Sequence, residues 1–157
     1  MCQLLGMNSR LPASLSLSFS GFARRGGVTD HHADGWGIAF FESEGQQPGR
    51  GIRHFVDKES AATSPLAHML RSFPIKSHNV IAHVRKATMG AITLENAHPF
   101  VRELWGRYWV FAHNGDLKNY APTLHGNFRP VGDTDSEMAF CWLMQQLVKS
   151  HAGVPSV

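Results

Sequence analysis

The stretch MCQLLGMN, residues 1–8, opens the chain with a predicted buried strand and places a cysteine directly after the initiator methionine. A small side chain at position 2 generally permits removal of Met1. Removal would leave Cys2 with both a thiol and a free α-amino group. Such an amine has a reference pKa of about 7.7–8.0, so it can accept the proton of the thiol. The opening therefore predicts a nucleophile that carries its own base.

The composition of the chain limits the classes of protein to which this nucleophile can belong. The chain has 157 residues, 43% of them hydrophobic, which is enough for one domain with a real core. A net charge of +3 without blocks of like charge does not favour nucleic acid as a partner. The sequence contains neither a signal peptide nor eighteen consecutive apolar residues, so we expect a cytoplasmic protein that does not bind membranes. Its two cysteines are too few for a disulfide framework.

Hydrophobic periodicity and turn residues predict a mixture of strands and helices without repeats. Strands are expected over 1–8, 35–42, 51–57, 79–88 and 108–115, with a turn at 45–49. Helices are expected over 16–27, 59–72 and 134–150. In the last of these, Thr134 or Asp135 precedes Glu137 in a capping pattern. No linker divides the chain.

Polar residues fall at the ends of the predicted strands and at the start of the last helix. Such positions can converge on a rigid frame in a sheet protein. Each also has a simpler explanation: Asn114 and Gly115 as a hairpin turn, Asp135 as a helix cap, and Arg85 as one half of a surface ion pair. The end of the predicted strand 79–88 carries His83, Arg85 and Thr88. The end of the predicted strand 108–115 carries His113, Asn114 and Gly115.

Together these residues match the needs of a thiol that attacks an amide of an amino acid. The side-chain amide of Asn114 and the N–H of Gly115 could stabilise a tetrahedral oxyanion. An arginine fork such as that of Arg85 suits the carboxylate of a zwitterionic substrate, and an aspartate such as Asp135 suits its ammonium group.

Several longer motifs carry a resemblance to a known family. With the opening strand, the sequence resembles the class II glutamine amidotransferases of the Ntn-hydrolase superfamily and, within them, the YafJ-like single-domain proteins. The motifs occur in the family's order across essentially the whole chain. They are HADGWGIAFF (32–41), PIKSHNVIAHVRKAT (74–88), LENAHPF (94–100), ELWGRYWVFAHNGDL (103–117) and NFRPVGDTDSEMAFCWL (127–143).

The resemblance implies a fold and a reaction. The fold is of the α+β class, an αββα four-layer sandwich of two antiparallel sheets between helix layers. Residues 1–157 are expected to form one such domain. Because the chain ends soon after the last predicted helix, these residues are expected to be an incomplete N-terminal portion of the family's domain. The reaction is hydrolysis of the side-chain amide of glutamine, or of another γ-glutamyl amide, through a thioester that releases ammonia. No cofactor is implied, and a separate enzyme would accept the ammonia.

The resemblance also implies a role for each candidate residue. Cys2 is similar to the family's nucleophile. Arg85 is similar to the residue that binds the substrate carboxylate, and Thr88 lies beside it in sequence. Asn114 and Gly115 are similar to the pair that stabilises the oxyanion, and Asp135 is similar to the residue that binds the ammonium group.

Two other functions stay open at this point. His31, His32 and Asp34, together with His98, could form the centre of a metal hydrolase, although adjacent histidines lack the spacing of a helical zinc pair. The chain could also be a non-catalytic glutamine-binding or regulatory module. His83 and His98 are interpreted as structural histidines with satisfied hydrogen bonds. Cys141 is expected to be a buried, inert thiol.

Overall fold

The computed structural model describes residues 2–14, 21–26, 33–44, 47–87 and 90–155. Six strands and two helices lie within these ranges, together with a short helical stretch at 21–24 and one 3-10 turn, Leu94–Asn96. The strands are β1 (Gln3–Ser14), β2 (Trp36–Glu44), β3 (Gln47–Asp57), β4 (Lys76–Val84), β5 (Phe100–Leu104) and β6 (Arg107–Phe111). The helices are α1 (Pro65–Ser72) and α2 (Asp135–Ser150). No helix among the described residues is both long and apolar enough to cross a membrane.

Four strands form the first sheet, in the order β1-β4-β2-β3, with antiparallel neighbours throughout. Val84, the last residue of β4, pairs with Gln3 on one side and with Trp36 on the other. This register places the beginning of β1 and the beginning of β2 beside the end of β4. The residues that precede β1 and β2 and those that follow β4 therefore meet at the same end of the sheet.

The central strand β2 is buried on both faces from Trp36 to Phe40, which explains why this stretch contains no polar side chain. β4 is also largely buried, although it carries Ser77, His78 and His83. Side chains on one face of β2 and β4 pack with α1 and with the helical stretch at 21–24 in one core cluster. Ser64 caps α1 by accepting a hydrogen bond from the N–H of Ala67, and Pro65 occupies the first helical position. The cluster includes Phe22, Trp36, Ile38, Ala67, Leu70, Val80 and Ala82.

The second sheet is the hairpin of β5 and β6. Its two connecting residues, Trp105 and Gly106, both have positive φ angles of 58° and 69°, as a type I′ turn requires. Side chains of this hairpin pack on α2 in a second core cluster, in which the rings of Phe111 and Phe140 stack 5.2 Å apart. α2 therefore covers the outer face of the second sheet.

The two sheets face each other across a cavity of about 570 Å³. Strands of the first sheet supply Met7, Phe41 and Ile81 to its lining, and β6 supplies Tyr108 and Val110. The layers therefore follow in the order helix, sheet, sheet, helix. This arrangement confirms the predicted α+β sandwich of two antiparallel sheets between helix layers.

Several boundaries differ from the sequence prediction. β5 was not predicted as a strand, and the predicted turn at 45–49 is wrong for residues 47–49, which begin β3. The predicted strand 79–88 begins earlier, at Lys76, and ends at Val84, before the polar residues that follow it. The predicted helix 59–72 is shortened to Pro65–Ser72, because Pro65 fixes its first turn. Residues 16–20 and 27 of the predicted helix 16–27 lie outside the described residues.

Candidate active site

Cys2 lies one residue before β1, opposite the end of β4. Its thiol donates a hydrogen bond to the carbonyl oxygen of Lys86 and accepts one from the Lys86 N–H, both at 3.3 Å between sulfur and its partner. The side chain is half-buried, and the sulfur is not bonded to Cys141. The antiparallel register of β1 and β4 thus fixes the thiol beside the backbone of residues 85–87.

Asp34 holds this stretch of backbone in place. Its carboxylate accepts a hydrogen bond of 2.8 Å from the N–H of Ala87, and its own N–H donates to the carbonyl of Arg85. The N–H of Arg85 in turn donates to the carbonyl of Gly35 at 2.8 Å. Asp34 was considered from sequence only as a metal ligand. In the structure it orders the backbone that contacts the thiol of Cys2.

Asn114 lies directly beside Cys2. Its side-chain amide donates a hydrogen bond of 3.0 Å to the backbone carbonyl of Cys2. The chain between β6, which ends at Phe111, and α2, which begins at Asp135, contains no strand, so the alternative of a hairpin turn at Asn114 and Gly115 is wrong. The pair instead lies where a loop passes the beginning of β1.

Gly115 is required by its neighbour. A Cβ atom at this position would lie 2.7 Å from Nε2 of His113. His113 is itself held, because its Nδ1 lies 3.1 Å from the hydroxyl of Ser136 at the start of α2. Any side chain at position 115 would therefore displace His113, and glycine keeps the backbone N–H of this residue accessible.

Asp135 is the first residue of α2. Thr134 is the N-cap, since its hydroxyl accepts from the N–H of Glu137 at 3.2 Å. The carboxylate of Asp135 accepts instead from the N–H of Leu117 at 2.6 Å and from the N–H of Ser136 at 2.7 Å. It therefore ties the loop after Asn114 to α2. The interpretation of Asp135 as a simple helix cap is wrong.

Arg85 is buried, with 3% of its surface exposed. Its guanidinium donates to the carbonyl of Ala91 at 2.9 Å and to that of Gly90 at 3.2 Å. Arg85 is therefore not a surface residue. The arginine anchors the turn that follows β4 while it lies against the candidate site.

One small cavity brings the candidate residues together. Its volume is about 20 Å³, close to the space that one water molecule occupies. A cysteine, an arginine and an aspartate are among the residues that line it. Thr88 lies outside the described residues, and Asn114 contacts Cys2 without lining the cavity. Its lining residues are Cys2, Arg85, Lys86, His98, His113, Gly115, Thr134, Asp135 and Ser136.

A pair of buried histidines lies under this cavity. The rings of His83 and His98 are 4.4 Å apart, and that of Phe100 lies 4.4 Å from His98. The pKa of each histidine is lowered to about 3, mainly by burial. The charge of Arg85 contributes to both shifts, and that of His98 contributes to the shift of His83. No ring nitrogen of either residue makes a hydrogen bond of normal geometry to a described residue, although the backbone of His113 lies close enough to His83 to raise its pKa somewhat against the other effects. The two histidines are buried as expected, but their hydrogen bonds are not satisfied there.

The proposed metal centre has little support in the part of the chain that the structure describes. His31 and His32 lie outside it, and the described residues contain no group of three histidine, cysteine or carboxylate side chains that could hold a metal ion. Asp34 binds the N–H of Ala87, and the ring of His98 packs against that of His83. Cys141 is buried as expected, and burial raises the pKa of its thiol.

Sequence reasoning missed the residues that support the site. Neither Asp34 nor the backbone of Lys86 was assigned to the thiol, and Asn96 received no role, although it lies in the quoted motif LENAHPF. The motif also contains Glu95 and His98, so its composition does not single out Asn96. Its partners are distant in sequence, so the spacing alone could not identify them.

Two antiparallel sheets between helix layers, with a cysteine at the head of the first strand, define a fold of the Ntn-hydrolase type. A family model described as "Glutamine amidotransferases class-II" matches residues 1–157. The chain thus belongs to the class II glutamine amidotransferases.

Individual relatives agree with this assignment. The chain is 50% identical over 155 residues to YafJ of Escherichia coli (strain K12), whose name assigns it only provisionally as a glutamine amidotransferase. It is 27% identical over 142 residues to a glutamine–fructose-6-phosphate aminotransferase (isomerizing) of Fusobacterium nucleatum. A crystal structure described as a predicted glutamine amidotransferase from Pseudomonas aeruginosa matches with a TM-score of 0.68 and 45% identity, over 99% of this chain and 59% of that one.

The chain spans only part of these proteins. The match covers 99% of this chain but 58% of YafJ, and 88% of this chain but 21% of the aminotransferase. The likeness to the aminotransferase therefore concerns only a fraction of that enzyme.

Proposed function

We propose that this protein hydrolyses the side-chain amide of glutamine, or of a related γ-glutamyl compound, with Cys2 as the nucleophile. The observation that carries the proposal is the shared cavity, whose lining includes the candidate nucleophile Cys2 together with Arg85 and Asp135, two residues of opposite charge. A free amino acid carries one negative and one positive group at its α-carbon. Such a substrate would pair its carboxylate with Arg85 and its ammonium with Asp135, which directs its side chain toward the thiol.

The first chemical step uses the α-amino group of Cys2, which removal of Met1 would release. This amine takes the thiol proton while the sulfur attacks the amide carbon of the substrate. The carbonyl oxygen becomes an oxyanion. The side-chain amide of Asn114 carries two N–H groups, of which one is bonded to the Cys2 carbonyl, so the other is available to the oxyanion with the N–H of Gly115.

The intermediate then collapses with cleavage of the carbon–nitrogen bond. The protonated α-amine gives its proton to the departing nitrogen, which leaves as ammonia, and a γ-glutamyl thioester remains on Cys2. Water attacks this thioester while the amine again accepts a proton, so glutamate is released and the thiol is restored. An ammonia-accepting enzyme, as a separate protein, would use the released ammonia.

The binding contacts in the structure are compatible with these roles. The carboxylate of Asp135 offers about four lone-pair positions. It accepts three hydrogen bonds, from the N–H of Leu117 and from the N–H and the hydroxyl of Ser136, which leaves one position at Oδ2 for an ammonium group. The fixed backbone around Lys86 holds the sulfur at a defined position, as a nucleophile requires.

The test is release of ammonia and glutamate from glutamine by the purified protein. The unsubstituted protein should release both in equal amounts, Cys2→Ala should release neither, and Cys141→Ala should match the unsubstituted protein. Far-ultraviolet circular dichroism of Cys2→Ala should be unchanged. Full activity in Cys2→Ala would refute the assignment. Glutamine binding without turnover in the unsubstituted protein would favour a non-catalytic binding module instead.

A further inference from the structure

The motif LENAHPF contains one of the most deeply buried polar side chains of the protein. Asn96 ends the 3-10 turn Leu94–Asn96, and 1% of its surface is exposed. A buried amide is costly unless its donors and acceptor are bonded, so its hydrogen bonds indicate what it supports. The proposed reaction makes no direct use of this residue.

Asn96 joins two loops that are distant in sequence. Its side-chain nitrogen donates to the carbonyl of Ala91 at 2.9 Å and to the carboxylate of Asp133 at 2.6 Å. Its side-chain oxygen accepts from the N–H of Asp133 at 3.0 Å. Both ends of the Asn96 amide are therefore bonded to Asp133, and a third bond reaches the loop after β4.

Each of these loops carries one of the proposed substrate anchors. The carbonyl of Ala91 that accepts from Asn96 also accepts from the guanidinium of Arg85 at 2.9 Å. Asp133 precedes Asp135 by two residues, with the helix cap Thr134 between them. Through these contacts Asn96 lies between the cationic anchor and the anionic anchor.

Two glycines permit this close approach. A Cβ atom on Gly132 would lie 2.1 Å from the side-chain oxygen of Asn96. Gly90 has a φ of +77°, and its Cβ would lie 2.6 Å from the carboxylate of Asp133. Both loops therefore depend on glycine where they meet around the Asn96–Asp133 pair.

We propose that Asn96 is a positioning residue that sets the spacing between Arg85 and Asp135, and so determines the affinity for the α-amino-acid end of the substrate. This inference rests on the proposed function. A zwitterionic substrate needs both anchors at a fixed separation, so a shift of either loop loses one ionic contact. Asn96 itself does not touch the substrate, and the thiol of Cys2 is held by different contacts. Substitution of Asn96 should therefore weaken capture of amino-acid substrates without lowering the reactivity of the thiol.

The experiment compares two reagents that alkylate Cys2. One is the glutamine analogue 6-diazo-5-oxo-norleucine, which needs both anchors, and the other is iodoacetamide, which needs neither. In Asn96→Ala the rate of labelling by the analogue should fall at least about tenfold, while the iodoacetamide rate stays within about twofold. Gly132→Ala should behave in the same way. The matched control is Gly51→Ala, because a Cβ at this position meets nothing within 4 Å.

The variant Asn96→Asp provides a readout that a general loss of structure would not change. It keeps the acceptor for the Asp133 N–H but sets a second carboxylate against that of Asp133. Protonation of this pair would restore one donor. The ratio of the analogue rate to the iodoacetamide rate, taken relative to the unsubstituted protein, should therefore recover as the pH is lowered from about 8 to about 5.5.

The outcomes separate this inference from the proposed function. A folded Asn96→Ala protein that the analogue labels at the unsubstituted rate would overturn the inference alone. Equal slowing of both reagents would also overturn it, since it would indicate a general structural role. If the analogue fails to label even the unsubstituted protein, the proposed function falls and the inference falls with it.

Discussion

The side-chain amide of Asn114 donates a hydrogen bond of 3.0 Å to the backbone carbonyl of Cys2, across 112 positions of sequence. This contact connects the loop after the second sheet to the residue that precedes the first strand of the first sheet. It orients an amide donor toward the residue that bears the proposed nucleophile. The fold therefore supplies an electrostatic group and a thiol on two separate frames that meet at one point.

Removal of this donor should slow the chemistry. Asn114→Ala should lower kcat for glutamine hydrolysis by about 10²–10³, the usual effect of losing one oxyanion donor, with a smaller change in KM. Steady-state kinetics measures both constants. Asn127→Ala, at another exposed asparagine, is the control and should retain the kcat of the unsubstituted protein. An unchanged kcat in Asn114→Ala would remove Asn114 from the proposed oxyanion pair.

Arg85→Lys should chiefly weaken substrate capture. Lysine keeps the positive charge but loses the planar fork that binds a carboxylate through two N–H groups. The ratio kcat/KM should fall about ten- to hundredfold, mainly through KM. Arg107→Lys, at an exposed arginine, should leave it unchanged.

Arg85 also bonds the carbonyls of Gly90 and Ala91, so thermal unfolding should be recorded for the same variant. A lower unfolding temperature together with an unchanged kcat/KM would show that the residue is only structural.

The buried pair His83 and His98 predicts a loss of stability in acid. Each has a pKa of about 3 in the folded protein, against 6.5 as its ordinary value. Between these values the unfolded chain binds more protons than the folded one. The free energy of unfolding should therefore fall as the pH drops from 6.5 toward 3, by up to about 1.4 kcal/mol per pH unit for each histidine.

Urea unfolding at a series of pH values measures this slope. His83→Leu should reduce the slope, since it removes one of the two buried groups. His125→Leu, at an exposed histidine, should leave it unchanged. A stability that does not vary between pH 6.5 and 4 in the unsubstituted protein would contradict the prediction.

Glu137 should contribute far more to stability than a surface glutamate in an ion pair. Its carboxylate, 2% exposed, binds Arg102 and accepts from the N–H groups of Val131 and Gly132. Glu137→Ala removes the partner of the partly buried Arg102 guanidinium and of two backbone N–H groups, so the free energy of unfolding should fall by about 3–5 kcal/mol.

The matched control is Glu42→Ala. Glu42 pairs with Arg53, and both side chains are about half exposed. Its removal should cost less than about 1 kcal/mol. Urea denaturation of both variants provides the comparison, and similar losses would contradict the role assigned to Glu137.

The sequence predicted the strands whose periodicity or apolar content is strong, namely β1, β2, β3, β4 and β6. It did not predict β5, because this strand contains the charged residues Arg102 and Glu103 and its turn is Trp105–Gly106 rather than the Asn–Gly that usually marks a hairpin. The capping pattern at Thr134 correctly predicted the start of α2. Glu137, however, binds Arg102 instead of completing the cap, and a tertiary partner of that kind leaves no local signal.

For the candidate site, the sequence identified the candidate residues but not the hydrogen bonds that hold them in place. Cys2, Arg85 and Asp135 were recognised from residue type and from a family resemblance, and the structure places all three at one cavity. The hydrogen bonds of Asp34 to Ala87 and of Asn96 to Asp133 join residues 53 and 37 positions apart. Contacts between residues so far apart in sequence depend on strand order and loop packing, which hydrophobic periodicity does not encode.

Mass spectrometry of the intact protein, before and after incubation with 6-diazo-5-oxo-norleucine and followed by peptide mapping, tests the central claim most directly. That claim is a processed Cys2 nucleophile in a glutamine-binding site. We predict loss of Met1 and a single adduct on Cys2, with Cys141 unlabelled. Retention of Met1 without an adduct on Cys2 would contradict the claim.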